Sequence, residues 1–234
     1  MTKDIAQFYD EFADKQVKIG VNSRHYSILD KVVKAGFTNG HNVLEIGCGI
    51  GTVSQLLARK TPKGEVLAVD ISPESIAKAK QIWSKQKNLS FEISDMKGFN
   101  KPNCAFDFVV LPDVLEHIPE EEHIALFKTI LKHSHDHTVV FIHIPSPRFL
   151  EWMIRNEANK LQVIDQPIDT GKLVSHLATC GFYLDKMETY SIYYKEKDYQ
   201  YFVFRRESEI KQVTHLNKWK ILGERIKFRM SHRL

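Results

Sequence analysis

The sequence is short of every feature that would let a chain fold or work without an ordinary hydrophobic core. It has three cysteines in 234 residues, Cys48, Cys104 and Cys180, an odd number at wide spacing. That excludes a disulfide framework and a cysteine-based zinc cluster, and it points to a reducing compartment. No stretch approaches the roughly 20 apolar residues that span a bilayer. The opening MTKDIAQFYDEFADK alternates charged and apolar side chains where a signal peptide would carry an unbroken apolar run, so a cytoplasmic protein is expected. There is no internal repeat and no Pro/Gly/Ser-rich linker, so a single domain is expected over residues 1–234. An excess of one charge is also missing: 33 Lys+Arg stand against 29 Asp+Glu, and +4 does not by itself argue for a nucleic-acid partner.

What is present is ordinary globular material, 43% hydrophobic and 26% charged. A chain of this length buries roughly 70% of the surface it exposes when unfolded. From residue 41 to 144, short apolar runs alternate with helical patterns. Strands are predicted at Asn42–Ile46, Glu65–Asp70, Leu89–Ile93, Phe106–Leu111 and Thr138–Ile144, most apolar enough to be buried on both faces of a parallel sheet. Helices are predicted near 52–60, 74–87 and 120–132. Beyond Pro145 a helix is expected at Asp169–Thr179, stopped by Gly181, then an antiparallel hairpin of Tyr183–Tyr193 and Tyr199–Arg205. Residues 1–40 carry two helical patterns, Ile5, Phe8, Tyr9, Phe12 and then Tyr26, Leu29, Val32, Val33, which suit a cap over the first strand.

The chemistry concentrates at strand ends. VLEIGCGIGTVS runs a buried strand into Gly47, Gly49 and Gly51 and then into a helix, so the backbone can pass close to a ligand at a helix N-terminus. A dinucleotide fingerprint would read G-x-G-x-x-G; here the pattern is G-x-G-x-G, with Thr52 next and Glu45 before the first glycine. A carboxylate beside the glycines does little for a pyrophosphate but suits a ligand carrying an amino group and a sulfonium. Asp70, followed by Ile71 and Ser72, ends the second strand and can accept ribose hydroxyls of either a nicotinamide or an adenosyl cofactor. Asp95 and Met96 follow the third strand, where a carboxylate and an apolar neighbour suit an adenine.

VLEIGCGIG, VLAVDISPESIAKAK, FEISDM and FDFVVLPDVLEHIP resemble, in order, the successive motifs of class I S-adenosylmethionine-dependent methyltransferases, in their small-molecule branch. The resemblance covers about residues 41–147 and continues more weakly to about 206. It implies an α/β fold, a Rossmann-like doubly wound seven-stranded sheet with a reversed last strand. To this the sequence adds a helical N-terminal cap and a basic C-terminal helix, with segments 1–40, 41–206 and 207–234 as cap, core and extension. By the family pattern Glu45, Gly47, Cys48, Gly49 and Gly51 surround the methionine part of the cofactor. Asp70, Ile71 and Ser72 hold its ribose, Asp95 and Met96 its adenine, and Pro112 lies on the same edge.

Methyl transfer to a hydroxyl gains from a base at the carboxyl ends of the strands. Asp113 and His117, after the fourth strand, and His143, ending the fifth, satisfy that position. Asp113, Glu116 and His117 have a second reading as ligands of a divalent ion. Their D-x-x-E-H spacing resembles the E-x-x-E-H of ubiquinone-biosynthesis and small-RNA 2′-O-methyltransferases, with Asp in place of the first Glu and no fourth ligand identified, so no metal is expected. His133, His135 and His137 look metal-like but precede the fifth strand on the opposite edge, and are expected to form a solvated helix end.

Residues 211–234 hold seven basic side chains and one acid, which leaves the first 210 residues slightly acidic. Leu216, Trp219, Leu222, Ile226 and Met230 recur there at helical spacing, an amphipathic basic helix that Gly223 weakens by about 1 kcal/mol. Its partners are the protein's own domain, a second copy in a homodimer, an anionic membrane surface or lipid-linked acceptor, or RNA. The expected function is methyl transfer from S-adenosylmethionine, releasing S-adenosylhomocysteine, to a small-molecule hydroxyl on a sugar, lipid-linked saccharide or quinone-like metabolite. The aromatic cap of Phe8, Tyr9, Phe12 and Tyr26 would close over such an acceptor. The alternatives are an RNA 2′-O-methyltransferase, which lacks a recognisable RNA-binding module here, and a cofactor-binding Rossmann protein without transferase activity.

Overall fold

Alternation of side chains along apolar strands decides which residues reach each face of the sheet. In the computed structural model, which describes residues 20–161, 165–209 and 212–232, the order is α1 (Ser23–Lys34), β1 (Val43–Ile46), α2 (Thr52–Lys60), β2 (Val66–Asp70), α3 (Pro73–Ile82) and β3 (Leu89–Ile93). Then come β4 (Phe106–Pro112), α4 (His123–Lys132), β5 (Ser134–Pro145), α5 (Pro147–Asn156), α6 (Thr170–Thr179), β6 (Phe182–Tyr190), β7 (Tyr199–Arg206) and α7 (Lys218–His232). The sheet has seven strands in the order β3-β2-β1-β4-β5-β7-β6. β7 runs antiparallel to both neighbours, as expected of the reversed last strand, and the remaining pairings are parallel.

Each strand divides its residues between two cores. Leu44, Val109, Leu111, Val140, Ile142 and Phe202 pack with Phe127 and Ile130 of α4 and Leu173 and Leu177 of α6. Val43, Phe108, Val110, Phe141 and Tyr201 pack on the other face with Ile28 and Val32 of α1 and Val53 and Leu57 of α2. The period of two therefore sends Glu45, Pro112 and His143, the last members of this second set, to the α1–α2 side at the carboxyl ends of their strands. β1 pairs with both β2 and β4, so the strand order reverses there, at the place where open α/β sheets bind ligands.

α1 is started by Asn22, whose side chain accepts from the N–H groups of Arg24 (3.0 Å) and His25 (3.4 Å), while its own N–H donates to His25 Nδ1 (3.1 Å). This is a capping box with histidine in the place of the usual Glu or Gln. The earlier cap pattern, Ile5 to Phe12, lies outside the described residues.

Several expected boundaries move. α3 ends at Ile82 rather than near 87, because Trp83 turns away to donate from Nε1 to the Ile50 carbonyl (2.8 Å). α5 was not anticipated; Pro147 at its first turn and buried Leu150 and Met153 are its signals. β5 starts at Ser134, so His135 and His137 lie in the strand itself. His133 is buried, not solvated: its Nε2 accepts the Lys101 N–H (3.0 Å) and its Nδ1 bonds the Thr129 carbonyl (2.9 Å). The last turn of α4 supplies that carbonyl, and the loop before β4 supplies the donor.

Phe127 is fully buried between α4 and the sheet. Phe127→Ala should lower unfolding stability by about 3–5 kcal/mol, read as a lower denaturant midpoint with an unchanged slope.

Candidate active site

The turn after β1 can be made only by a glycine-rich sequence. Gly47, Gly49 and Gly51 have φ of +75°, +52° and +78°. A Cβ on Gly47 would collide with the Val114 side chain, and one on Gly51 would lie 2.6 Å from the Phe91 ring. The Gly47 and Cys48 N–H groups donate to the Val69 carbonyl (2.8 and 3.0 Å), which ties the turn to β2. Asp70 braces the same turn: Oδ2 accepts from the Gly49 N–H (2.7 Å) and Oδ1 from the Ser72 N–H (2.9 Å). Burial pushes its carboxyl up, and those backbone donors pull it back. Each oxygen keeps acceptor capacity for a ligand hydroxyl.

Beyond the turn the expected residues spread along neighbouring strand ends. Ser72 caps α3 by accepting from the Ser75 N–H (3.1 Å), and Ile71 is exposed. Asp95 is exposed, its Oδ1 taking the Lys97 N–H (2.8 Å). Met96 is buried with φ +64°, and the Ser94 hydroxyl receives its N–H (3.0 Å).

A cavity of about 110 Å³ opens at the switch point between β1 and β4. Among the expected residues, Glu45, Gly47, Cys48, Gly49, Pro112 and Asp113 line it; Gly51, Asp70, Ile71, Ser72, Asp95, Met96, His117 and His143 do not. The first turn of α1 and the residues before it complete the wall with Gly20, Asn22, Arg24, His25 and Ile28, and α2 adds Thr52 and Val53. The sequence pattern gave no sign that α1 would serve as a wall.

Two ionisable side chains dominate this cavity. Glu45 is 1% exposed, and its Oε2 has no hydrogen-bond partner. Burial, reinforced by the charge of Asp70, pushes its carboxyl up to about 8, against the pull of nearby Ser54. Burial and the same two acids hold the Cys48 thiol well above its ordinary range, so it is no nucleophile. Arg24, the opposing charge, is held more basic than usual by Asp113, which lies 2.8 Å from its Nη1. Burial and the Arg24 charge lower His25 to about 4, so its ring accepts from Asn22 as a neutral group.

Asp113 heads a buried chain. Its Oδ1 is 2.5 Å from His143 Nδ1, whose other nitrogen lies 2.7 Å from the Tyr190 hydroxyl, and Ser27 of α1 donates to that hydroxyl (3.1 Å). Asp113 has no proton to give, so Nδ1 carries the hydrogen. Tyr190 accepts from Ser27 and offers its own hydrogen to Nε2. His143 is fully buried, stacked on Tyr199 with centroids 4.9 Å apart, and both its nitrogens are engaged. His143 and Arg24, despite the cost of burial, keep Asp113 below the usual carboxylate range.

His117 sits in the single turn Leu115–His117 after β4, its Nδ1 3.4 Å from Asp165 Oδ1. Glu116 beside it is 2% exposed, and burial together with Asp113 holds its carboxyl well above the ordinary range. This geometry does not suit a divalent ion on Asp113, Glu116 and His117. Asp113 is committed to the Arg24 guanidinium and the His143 imidazole. Among the described residues no three such side chains have metal-ligand spacing.

Residues 43–136 match the model of the methyltransferase-domain family. Over these residues the chain carries a methyltransferase domain. A malonyl-[acyl-carrier protein] O-methyltransferase of Anoxybacillus flavithermus is 41% identical over 114 residues, 46% of this chain and 40% of that one. A ubiquinone biosynthesis O-methyltransferase of Coxiella burnetii is 32% identical over 84 residues, 36% of this chain and 35% of that one. The chain thus spans well under half the length of these curated relatives. Magnesium protoporphyrin IX methyltransferase of Synechocystis PCC 6803, solved with bound SAH, shares the fold, with a TM-score of 0.61, 19% identity, and coverage of 88% of this chain and 86% of that one. Glu45 lies at the end of β1, inside the matched segment.

The raised carboxyl of Glu45 makes a pH-dependent stability difference. A folded-state value of about 8 above an unfolded value near 4.5 means that the native state holds the proton more tightly, so its contribution is present at low pH and is lost as pH rises through that window. Glu45→Gln should melt progressively higher than wild type as pH is raised from 4.5 towards 8, with little difference at or below 4.5. Thermal unfolding of both proteins across that range checks it.

Proposed function

We propose that the methyltransferase domain transfers a methyl group from S-adenosylmethionine to the hydroxyl of a small molecule, releasing S-adenosylhomocysteine. The observation that carries this reading is the buried Glu45 carboxyl, one oxygen unpartnered, on the wall of a cavity beside the glycine turn. A cationic amino or sulfonium group is what such a carboxyl lacks, and its arrival would restore the carboxylate. The bound cofactor supplies a methyl group on sulfonium, primed for in-line displacement. Glu45 with Gly47 and Gly49 would hold its methionine part, Asp70 its ribose, and Asp95 with Met96 its adenine.

Catalysis is then mostly positioning. His117 takes the proton of the acceptor hydroxyl, with Asp165 orienting its ring. His143 acts through Asp113, fixing the carboxylate that in turn fixes Arg24 on the cavity wall; it is a positioning residue, since its own nitrogens are spent. The curated relatives named above are O-methyltransferases, which supports oxygen as the acceptor atom.

An aromatic cluster joined to the cavity wall through Tyr199 and Arg24 supports a flat-faced acceptor such as a sugar ring or a quinone-like ring. Phe149 and Trp152 of α5 stack with centroids 6.3 Å apart, and Tyr194 packs on Phe149 at 4.8 Å. Tyr193 meets Tyr199 at 6.4 Å, and Tyr199 is hydrogen-bonded to Arg24. The loop carrying both tyrosines is held by buried Asp198, which accepts from the N–H groups of Ile192 (2.8 Å) and Tyr193 (3.0 Å). Trp152, Tyr193 and Tyr194 remain exposed on this braced scaffold.

Thermal unfolding with S-adenosylmethionine, S-adenosylhomocysteine and NAD in parallel tests the cofactor. A ligand at 100 times its Kd should add about 2.7 kcal/mol. Stabilisation by the adenosyl ligands alone is expected, and none at millimolar concentration would overturn the reading. Asp70→Ala should weaken that binding by about tenfold or more while the domain stays folded. His117→Ala should lower turnover by about 10²-fold or more with cofactor affinity nearly intact, measured on the first acceptor that a screen of sugars and quinols identifies.

A further inference from the structure

α7 is the one described α-helix with no buried residue: residues 212–231 are exposed throughout. On a helix of 3.6 residues per turn, Trp219, Leu222, Ile226 and Met230 fall on one stripe. Trp219 is 79% exposed and Met230 77%. Cations border the stripe on both sides, Lys220 and Lys227 along one edge and Lys218, Arg225 and Arg229 along the other. Glu224, the one acid of the segment, lies away from it, as do Ile221 and Phe228.

The stripe and its borders ask for different things, and few surfaces answer both. A second copy of this helix would cover the apolar stripe but bring the same cations against the same cations. A nucleic-acid backbone would match the charge and leave the tryptophan, isoleucine and methionine in water. An anionic bilayer satisfies both: apolar side chains sink to the acyl boundary while lysine and arginine stems reach sideways to the headgroups. The rest of the chain is slightly acidic, so this attraction is local to the segment. At about 1.5 Å per residue, 15 residues reach only about 22 Å, and no described helix is long and apolar enough to cross a membrane.

We propose that α7 is an interfacial helix that lays the protein on a bilayer surface rich in anionic lipid, the stripe Trp219-Leu222-Ile226-Met230 facing the acyl chains. The proposal does not depend on the cofactor or on the acceptor.

The test is co-sedimentation of the full chain with phosphatidylcholine vesicles and with vesicles in which roughly a third of the lipid is phosphatidylglycerol. Pelleting with the anionic vesicles, falling with salt, and little with the neutral ones is the expected result. Lys227→Gln or Arg229→Gln should each weaken the partition by about fivefold. Ile226→Ser should weaken it by about tenfold or more, with the melting temperature unchanged because the position is exposed. Failure to bind anionic vesicles overturns the proposal. So does binding that Ile226→Ser leaves intact, which would be charge without insertion. A dimer by light scattering that Ile226→Ser abolishes, or retention on a homopolymer RNA without vesicle binding, would assign the stripe or its charge to another partner and overturn it as well.

Discussion

The contact between Arg24 and Asp113 is the one on which the candidate site depends. Asp113 stands at the end of a central strand in a left-handed backbone conformation, φ +55°, with its N–H on the His143 carbonyl (2.8 Å). Arg24 comes from the first turn of α1, so the pair joins a helix on one face to the edge of the sheet. Ser27 and Lys31 lie on the same side of that helix and reach Tyr190 and Glu188. Spacings of three and four residues thus set Arg24, Ser27 and Lys31 in a row against β4 and β6, while Ile28 and Val32 anchor the helix in the core. A buried ion pair of this kind is weak as a source of stability, because desolvation offsets much of the attraction. Its value lies in fixing geometry: without α1 in this place the cavity loses a wall.

A division of labour follows from where the groups sit. On the β1–β2 side the site is made of backbone: glycines with positive φ, N–H groups held by a carbonyl, and one aspartate tying the turn to the next strand. On the β4–β5 side it is made of side chains: an arginine, a buried imidazole, a buried Glu116, and a rim of aromatic rings. Backbone surfaces suit a ligand of fixed structure. Side chains carried on α5 and on the loop before β7 suit a ligand that differs from one enzyme to the next.

The two sides also differed in how far the sequence revealed them. Glu45, the glycine turn and Asp70 are legible because the strand, turn and helix that shape them are contiguous, and a carboxylate at a strand end has few other uses. The doubly wound α/β architecture was legible in the alternation of apolar strands with helices, and the reversed last strand through the family resemblance. Arg24 was not legible: its partner lies far along the chain, and an arginine in a helical pattern reads as solvated surface until α1 is packed. His143 stood out as a base because it ends a strand on the right edge, but only packing shows that Asp113, Tyr190 and Tyr199 enclose it. His133 failed in the opposite sense, since nothing local announces that a loop N–H will meet a histidine at a helix end.

The hold of Asp198 on the loop before β7 bears on how such an enzyme changes over generations. One buried carboxylate closes the loop onto its own backbone, so Tyr193 and Tyr194 project from a frame that makes little demand on their identity. Substitutions at those half-exposed tips disturb less than substitutions in the glycine turn, where positive φ and close neighbours leave no room for a side chain. Selection can therefore explore new acceptors at one rim of the sheet while the opposite rim stays frozen, and descendants of this fold would be expected to diverge in what they modify long before they diverge in what they use to modify it.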